Sequence, residues 1–138
     1  MKKIIFILFL SIPFIALYAQ DSIATTPPKI ITKLKIGNTA TFDTKSIKII
    51  KLIGDSRCPV DATCIWEGEV TLLVGLYEND ALKEEKELVF SSKNINPDHL
   101  EKLLTSGQKT IYAHSISPQA STEESIDSYE YYLNLLVR

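Results

Sequence analysis

The chain has 138 residues, 15 Lys and Arg against 17 Asp and Glu, and a formal net charge of −2. That length holds one domain, and the acidic balance offers no footprint for nucleic acid and no polybasic patch for anionic lipid. The two histidines, His99 and His114, stand in no metal-ligand spacing.

Residues 1–19 read as an export signal. Lys2 and Lys3 give a basic start, Ile4 to Leu10 is unbroken apolar sequence, and Ala16-Leu17-Tyr18-Ala19 supplies small residues ahead of a cut before Gln20. Pro13 interrupts the apolar stretch, which falls short of the roughly 20 residues a spanning helix needs. Gln20 stands where a lipid anchor requires cysteine. The expected mature protein is therefore extracytoplasmic, either periplasmic or secreted, and not inserted in a membrane. Loss of Lys2 and Lys3 leaves it 13 basic and 17 acidic residues. Residues 20–28 end in Pro27-Pro28 without periodicity and read as a flexible leader, which leaves 29–138 as the domain.

From there the hydrophobic period is two. Ile30, Leu34 and Ile36 share one face of a first strand, with Lys33 and Lys35 on the other. Gly37-Asn38 is a turn, and Thr39 to Thr41 begins a short second strand. Ser46 to Ile53 is a strand whose alternation slips at Ile49-Ile50, the mark of a bulge. After a cysteine loop, Ile65 to Tyr77 reads as a strand with apolar residues on both faces, hence a central one. Glu78-Asn79-Asp80 turns into a return strand from Lys83 to Ser91. Asn96-Pro97-Asp98 carries the signals of a helix start, Leu100, Leu103 and Leu104 fall on one helical face, and Gly107 stops it. Two more strands follow, Thr110 to Ser117 and Tyr129 to Val137, around a polar loop from Pro118 to Ser128. The last strand places Tyr129, Tyr131, Leu133, Leu135 and Val137 on one side. The expected fold is an all-β antiparallel sandwich with one short helix, a small barrel being the alternative.

The most individual stretch runs Asp55-Ser56-Arg57-Cys58-Pro59-Val60-Asp61-Ala62-Thr63-Cys64-Ile65-Trp66-Glu67-Gly68-Glu69. In an exported chain two closely spaced cysteines read as a bridge between Cys58 and Cys64. Pro59 fixes its own φ, and Arg57 has Asp55 and Asp61 within reach as partners. Trp66 is placed to lay its ring over the bridge and open the next strand, while Gly68 suits a bulge or a close backbone approach. Over these fifteen residues the chain resembles a group of small secreted or lipoprotein-like bacterial proteins that share D-S-R-C-P, a second cysteine after five residues, and then an aliphatic residue, Trp and Gly. Asp61-Ala62-Thr63 and Glu67 depart from that pattern. The resemblance implies a compact β-domain outside the cytoplasm and brings no activity with it.

Asp55, Arg57, Pro59, Asp61, Trp66 and Glu67 are the candidate recognition residues, because a disulfide-stiffened loop loses little entropy on binding. The expected role is non-enzymatic: an envelope protein that binds another protein or a glycan, or has a structural part. A secreted inhibitor of a hydrolase, inserting Arg57 to Cys64, is the alternative. Redox chemistry favours Cys-x-x-Cys at a helix start, whereas five residues and a strand stand here. Calcium loops place oxygen ligands at alternate positions, a register that Asp55, Asp61, Glu67 and Glu69 do not keep. A small hydrolase or metal-dependent enzyme would need His114 to meet two carboxylates in a cleft. The sequence implies no cofactor.

Overall fold

The computed structural model describes residues 29–138; the expected export signal and leader lie outside the described residues. Eight strands form two four-stranded antiparallel sheets. One sheet orders β1 (Ile30–Lys35), β8 (Tyr132–Val137), β7 (Lys109–Ser117) and β6 (Glu101–Ser106) side by side. The other orders β2 (Thr39–Phe42), β3 (Lys45–Asp55), β4 (Val70–Glu78) and β5 (Ala81–Phe90). The two sheets stay separate and stack as a sandwich, so the barrel alternative does not hold.

Alternation builds the core. Val70, Leu72 and Val74 of β4 point inward with Ile47 and Ile49 of β3, and meet Leu133 and Leu135 of β8. Each of these side chains is fully buried, contributing roughly 1.5–3 kcal/mol of transfer free energy. Among the described residues the core is drawn from residues 34–137, all downstream of the expected cut before Gln20. The expected slip in β3 is present: its register against β4 shifts between Ile49 and Lys51. β4 lies between β3 and β5, as its two-sided apolar pattern implied.

The expected helix from Asn96 to Gly107 is instead a turn followed by β6. Its register against β7 shifts between Lys102 and Leu104, and this bulge turns the adjacent Leu103 and Leu104 both to the core. Two inward leucines in a row copied helical spacing. Asn96 still caps, but a turn: its Oδ1 accepts from the backbone N–H of Asp98 and His99 at 2.9 and 3.0 Å. Gly107, at φ 58°, opens the two-residue hairpin to β7 rather than ending a helix. Two strand boundaries also move. β4 begins at Val70, not Ile65, and β8 begins at Tyr132, because Asp127 caps a 3-10 turn over Ser128–Glu130 that turns Tyr129 out to solvent.

The two ends of the sandwich differ. At one, tight turns close the hairpins: Asp43-Thr44, Asn79-Asp80 and Gly107-Gln108. They are tied together by Asn79 N–H to the Thr44 carbonyl at 2.8 Å and by the Ser106 hydroxyl to Asp43 Oδ2 at 2.9 Å. The other end carries three long connections, residues 56–69, 91–100 and 118–131. Scaffold loops of this kind are where binding residues concentrate.

Candidate functional site

The first long loop grows out of the β3–β4 ladder. Ser56 N–H donates to the Glu69 carbonyl at 2.8 Å and Cys58 N–H to the Glu67 carbonyl at 2.7 Å, so the two arms stay paired as they leave the sheet. Gly68 makes that pairing possible. Its φ is +71°, and a Cβ there would lie 1.8 Å from the Ser56 carbonyl oxygen. Above this neck Cys58 and Cys64 are joined, with Cα atoms 5.9 Å apart. The Pro59 carbonyl accepts from Ala62 N–H at 3.1 Å, which folds the short ring into a turn.

Asp55 and Arg57 form the base. Arg57 Nε donates to Asp55 Oδ1 at 2.9 Å and Nη2 to Oδ2 at 2.6 Å, a two-pronged pair whose side chains are only 15% and 12% exposed. The Tyr131 hydroxyl donates to the same Oδ2 at 2.8 Å, and the guanidinium lies 5.8 Å from the Tyr131 ring centre. Burial pushes the Asp55 carboxyl up, but the hydrogen bonds from Arg57 and Tyr131 outweigh it and hold Asp55 below the usual carboxylate range. Tyr131 is raised, by burial and by the adjacent carboxylate. Of the two partners open to Arg57 in the sequence, Asp55 is the one used.

Asp61 serves elsewhere. It accepts from Thr122 N–H at 2.9 Å and from the Thr122 hydroxyl, which together hold its carboxyl below the usual range. Val60 N–H donates to the Ala120 carbonyl at 3.0 Å, and Arg57 Nη1 to the Pro118 carbonyl at 2.9 Å. The disulfide loop is thus latched to the third long connection at three points. On its other flank the Ser92 hydroxyl donates to Glu67, joining it to the second.

Trp66 does not cover the bridge. It is 62% exposed, and its neighbour Ile65 is entirely exposed, with Val60 close to two-thirds exposed. The neck geometry explains this: Glu67 and Glu69 are held by Cys58 and Ser56, so the strand starts only at Val70 and Ile65 and Trp66 stand clear of the sheet. A cleft of about 280 Å³, which Ile65 and Trp66 of this crest do not line, opens between the three loops. Phe90, Ile95 and Ile116 form its apolar floor, while Arg57, Asn96 and Gln119 bring polar groups to its wall.

Sequence reasoning gathered Asp55, Arg57, Cys58, Pro59, Asp61, Cys64, Trp66 and Glu67 by adjacency, and the structure keeps them in one loop while dividing their work. Asp55, Arg57, Asp61 and Glu67 hold the loop in place, and Trp66 is offered to solvent. Tyr131, Ser92 and Thr122 were missed. No local signal announces them, since each reaches the loop across at least 25 residues of chain. His114 meets the Ser115 hydroxyl at 2.9 Å rather than a pair of carboxylates. Among the described residues no group of three His, Cys, Asp or Glu is set to hold a metal ion, and no helix is long and apolar enough to cross a membrane.

Charge is segregated. The long-loop end carries Asp61, Glu67 and Glu69 in its first connection and Glu123, Glu124 and Asp127 in its third, whereas the strands of the β1-β8-β7-β6 sheet contain Glu101 as their one acidic residue. The whole-chain average concealed a basic sheet face. The chain matches no protein-family model, no curated protein and no solved structure.

Proposed function

We propose that this is an exported, non-enzymatic binding module of the cell envelope that uses its long-loop end to hold a protein partner. One observation carries the reading: Ile65 and Trp66 stand exposed on a loop that is closed by a disulfide and latched to both neighbouring loops. A single exposed apolar side chain needs no partner, but adjacent large ones presented together on a fixed loop mark an interaction site. A loop held in one arrangement before contact loses little conformational entropy when that happens.

A protein partner fits better than a glycan. Sugar rings stack on flat aromatic faces, while here Trp66 is joined by the branched aliphatic Ile65 and by Val60, a combination suited to an apolar socket. The acidic residues around the crest favour a socket with a basic rim. The same crest supports the second reading, an inhibitor of a secreted hydrolase. In that case the inserted segment runs past Cys64 to Trp66 instead of ending at the bridge.

The test is a photoreactive amino acid placed at Ile65 in the producing cell, with Leu82 on β5 as the control position, since it too is exposed. The reading expects one discrete protein adduct from position 65 and none from 82. Adducts of equal yield from both, or none from 65, would remove its support.

A further inference from the structure

The outward face of the β1-β8-β7-β6 sheet is a second surface, independent of the loop end. The register places Ile31, Leu136 and Tyr112 in one row across β1, β8 and β7, and Lys35 beside Tyr132 in another. Leu136 is itself fully covered in that row, and around the Tyr112 and Tyr132 rings stand cations: Lys33 and Lys35 on β1, Lys102 on β6 opposite Tyr112, and Lys29 and Arg138 at the strand ends. Lys35 lies 5.7 Å from the Tyr132 ring centre and Arg138 the same distance from that of Tyr112. His114 on β7 is held below its usual value by burial and by the Lys29 charge, as expected beside a positive surface.

We infer that this face docks on an anionic lipid bilayer as a peripheral, salt-sensitive contact. Shape and chemistry favour a bilayer over a linear polyanion. Four strands make a gently twisted surface about 15 Å wide, and the cations are spread around it rather than along a groove. The tyrosine rings on the two central strands and an exposed Ile31 on the edge strand match the interface between headgroups and acyl chains, where amphipathic rings settle. Docked flat, the sandwich keeps its strands along the membrane and its acidic loops at the side, away from lipid phosphate.

The experiment is co-sedimentation of the chain from residue 20, which retains every core residue described above, with vesicles of phosphatidylcholine alone or with phosphatidylglycerol at about 30%. Each lysine near a charged surface contributes about a factor of five. Binding is therefore expected on the anionic vesicles at low salt only, and it disappears at 0.5 M NaCl, where the screening length is about 4 Å. Lys33→Glu with Lys35→Glu lowers it at least about 30-fold, while Trp66→Ala leaves it unchanged. Far-UV circular dichroism checks folding, and Lys102→Glu, on a different strand, replaces the double variant should that variant unfold. Equal binding to both vesicle types, or full binding by a folded Lys33/Lys35 variant, would overturn the inference. So would binding to soluble heparin without binding to vesicles, which would assign the face to a polymer.

Discussion

Replacing Gly68 with alanine puts a methyl group 1.8 Å from the Ser56 carbonyl oxygen and 2.5 Å from its carbon, on a backbone at φ +71°. Both atoms belong to main chain, so no side chain can swing aside. An L residue held in the left-handed region costs about 1–2 kcal/mol. Relieving the clash also opens the neck, where the Ser56–Glu69 and Cys58–Glu67 hydrogen bonds contribute about 1 kcal/mol each. The expected loss is about 3–4 kcal/mol, a melting temperature lower by roughly 12–16 °C in a domain of this size. Two other glycines separate strain from collision. Gly37 has φ +86° with nothing within 4 Å, so Gly37→Ala should lose only about 1 kcal/mol. Gly54 has open space and ordinary dihedrals, so Gly54→Ala should change stability by about 0.5 kcal/mol or less. Calorimetry on the three variants reads the order directly. If Gly68→Ala melts no lower than Gly37→Ala, the close approach that shapes the loop does not exist.

The remaining predictions concern the same loop. The purified protein should be two hydrogens lighter by mass spectrometry than its reduced form, and Cys58→Ser with Cys64→Ser should lose about 2 kcal/mol, the entropy of so short a ring. Asp55 sits below its unfolded value, so its contribution is present above about pH 4 and is lost as pH falls through the lowered folded value. Asp55→Asn should accordingly flatten the acid limb of a stability-against-pH curve and lose about 2 kcal/mol at neutral pH, where Arg57 is left without its carboxylate. Trp66→Ala should melt within about 0.5 kcal/mol of the parent, whereas a buried tryptophan would lose about 3–5 kcal/mol. A large loss would mean that the ring packs on the bridge after all.

Alternation made most of this fold legible. Leu133, Leu135 and Val137 announce their strand because they alternate on its core face, and the slip at Ile49-Ile50 is visible because a bulge breaks a period-two pattern at one point. The same device defeated the reading at Leu103-Leu104: without a clear alternation around it, the doubled inward pair looked helical beside real capping chemistry at Asn96. In the loop, bonds between near neighbours were legible, as with Arg57 and Asp55. Tyr131, 76 residues from Asp55, was not, because only the stacking of the two sheets brings it there. Nearness to Cys64 in sequence put Trp66 against the bridge, whereas the neck hydrogen bonds from Cys58 to Glu67 and from Ser56 to Glu69 decide where its backbone goes. The basic face was invisible for a related reason, since net charge carries no geometry until the strands are assigned to sheets.

Binding of the kind proposed requires the crest to be held in place before any partner arrives. Backbone 15N relaxation of the free, oxidised protein measures this residue by residue. With three latches to one neighbouring loop and one to the other, order parameters for residues 58–67 should stay near those of the strands, about 0.8 or above. Values below about 0.6 across Val60 to Trp66 would show a loop that floats, and the case for a preorganised recognition surface would fall with it.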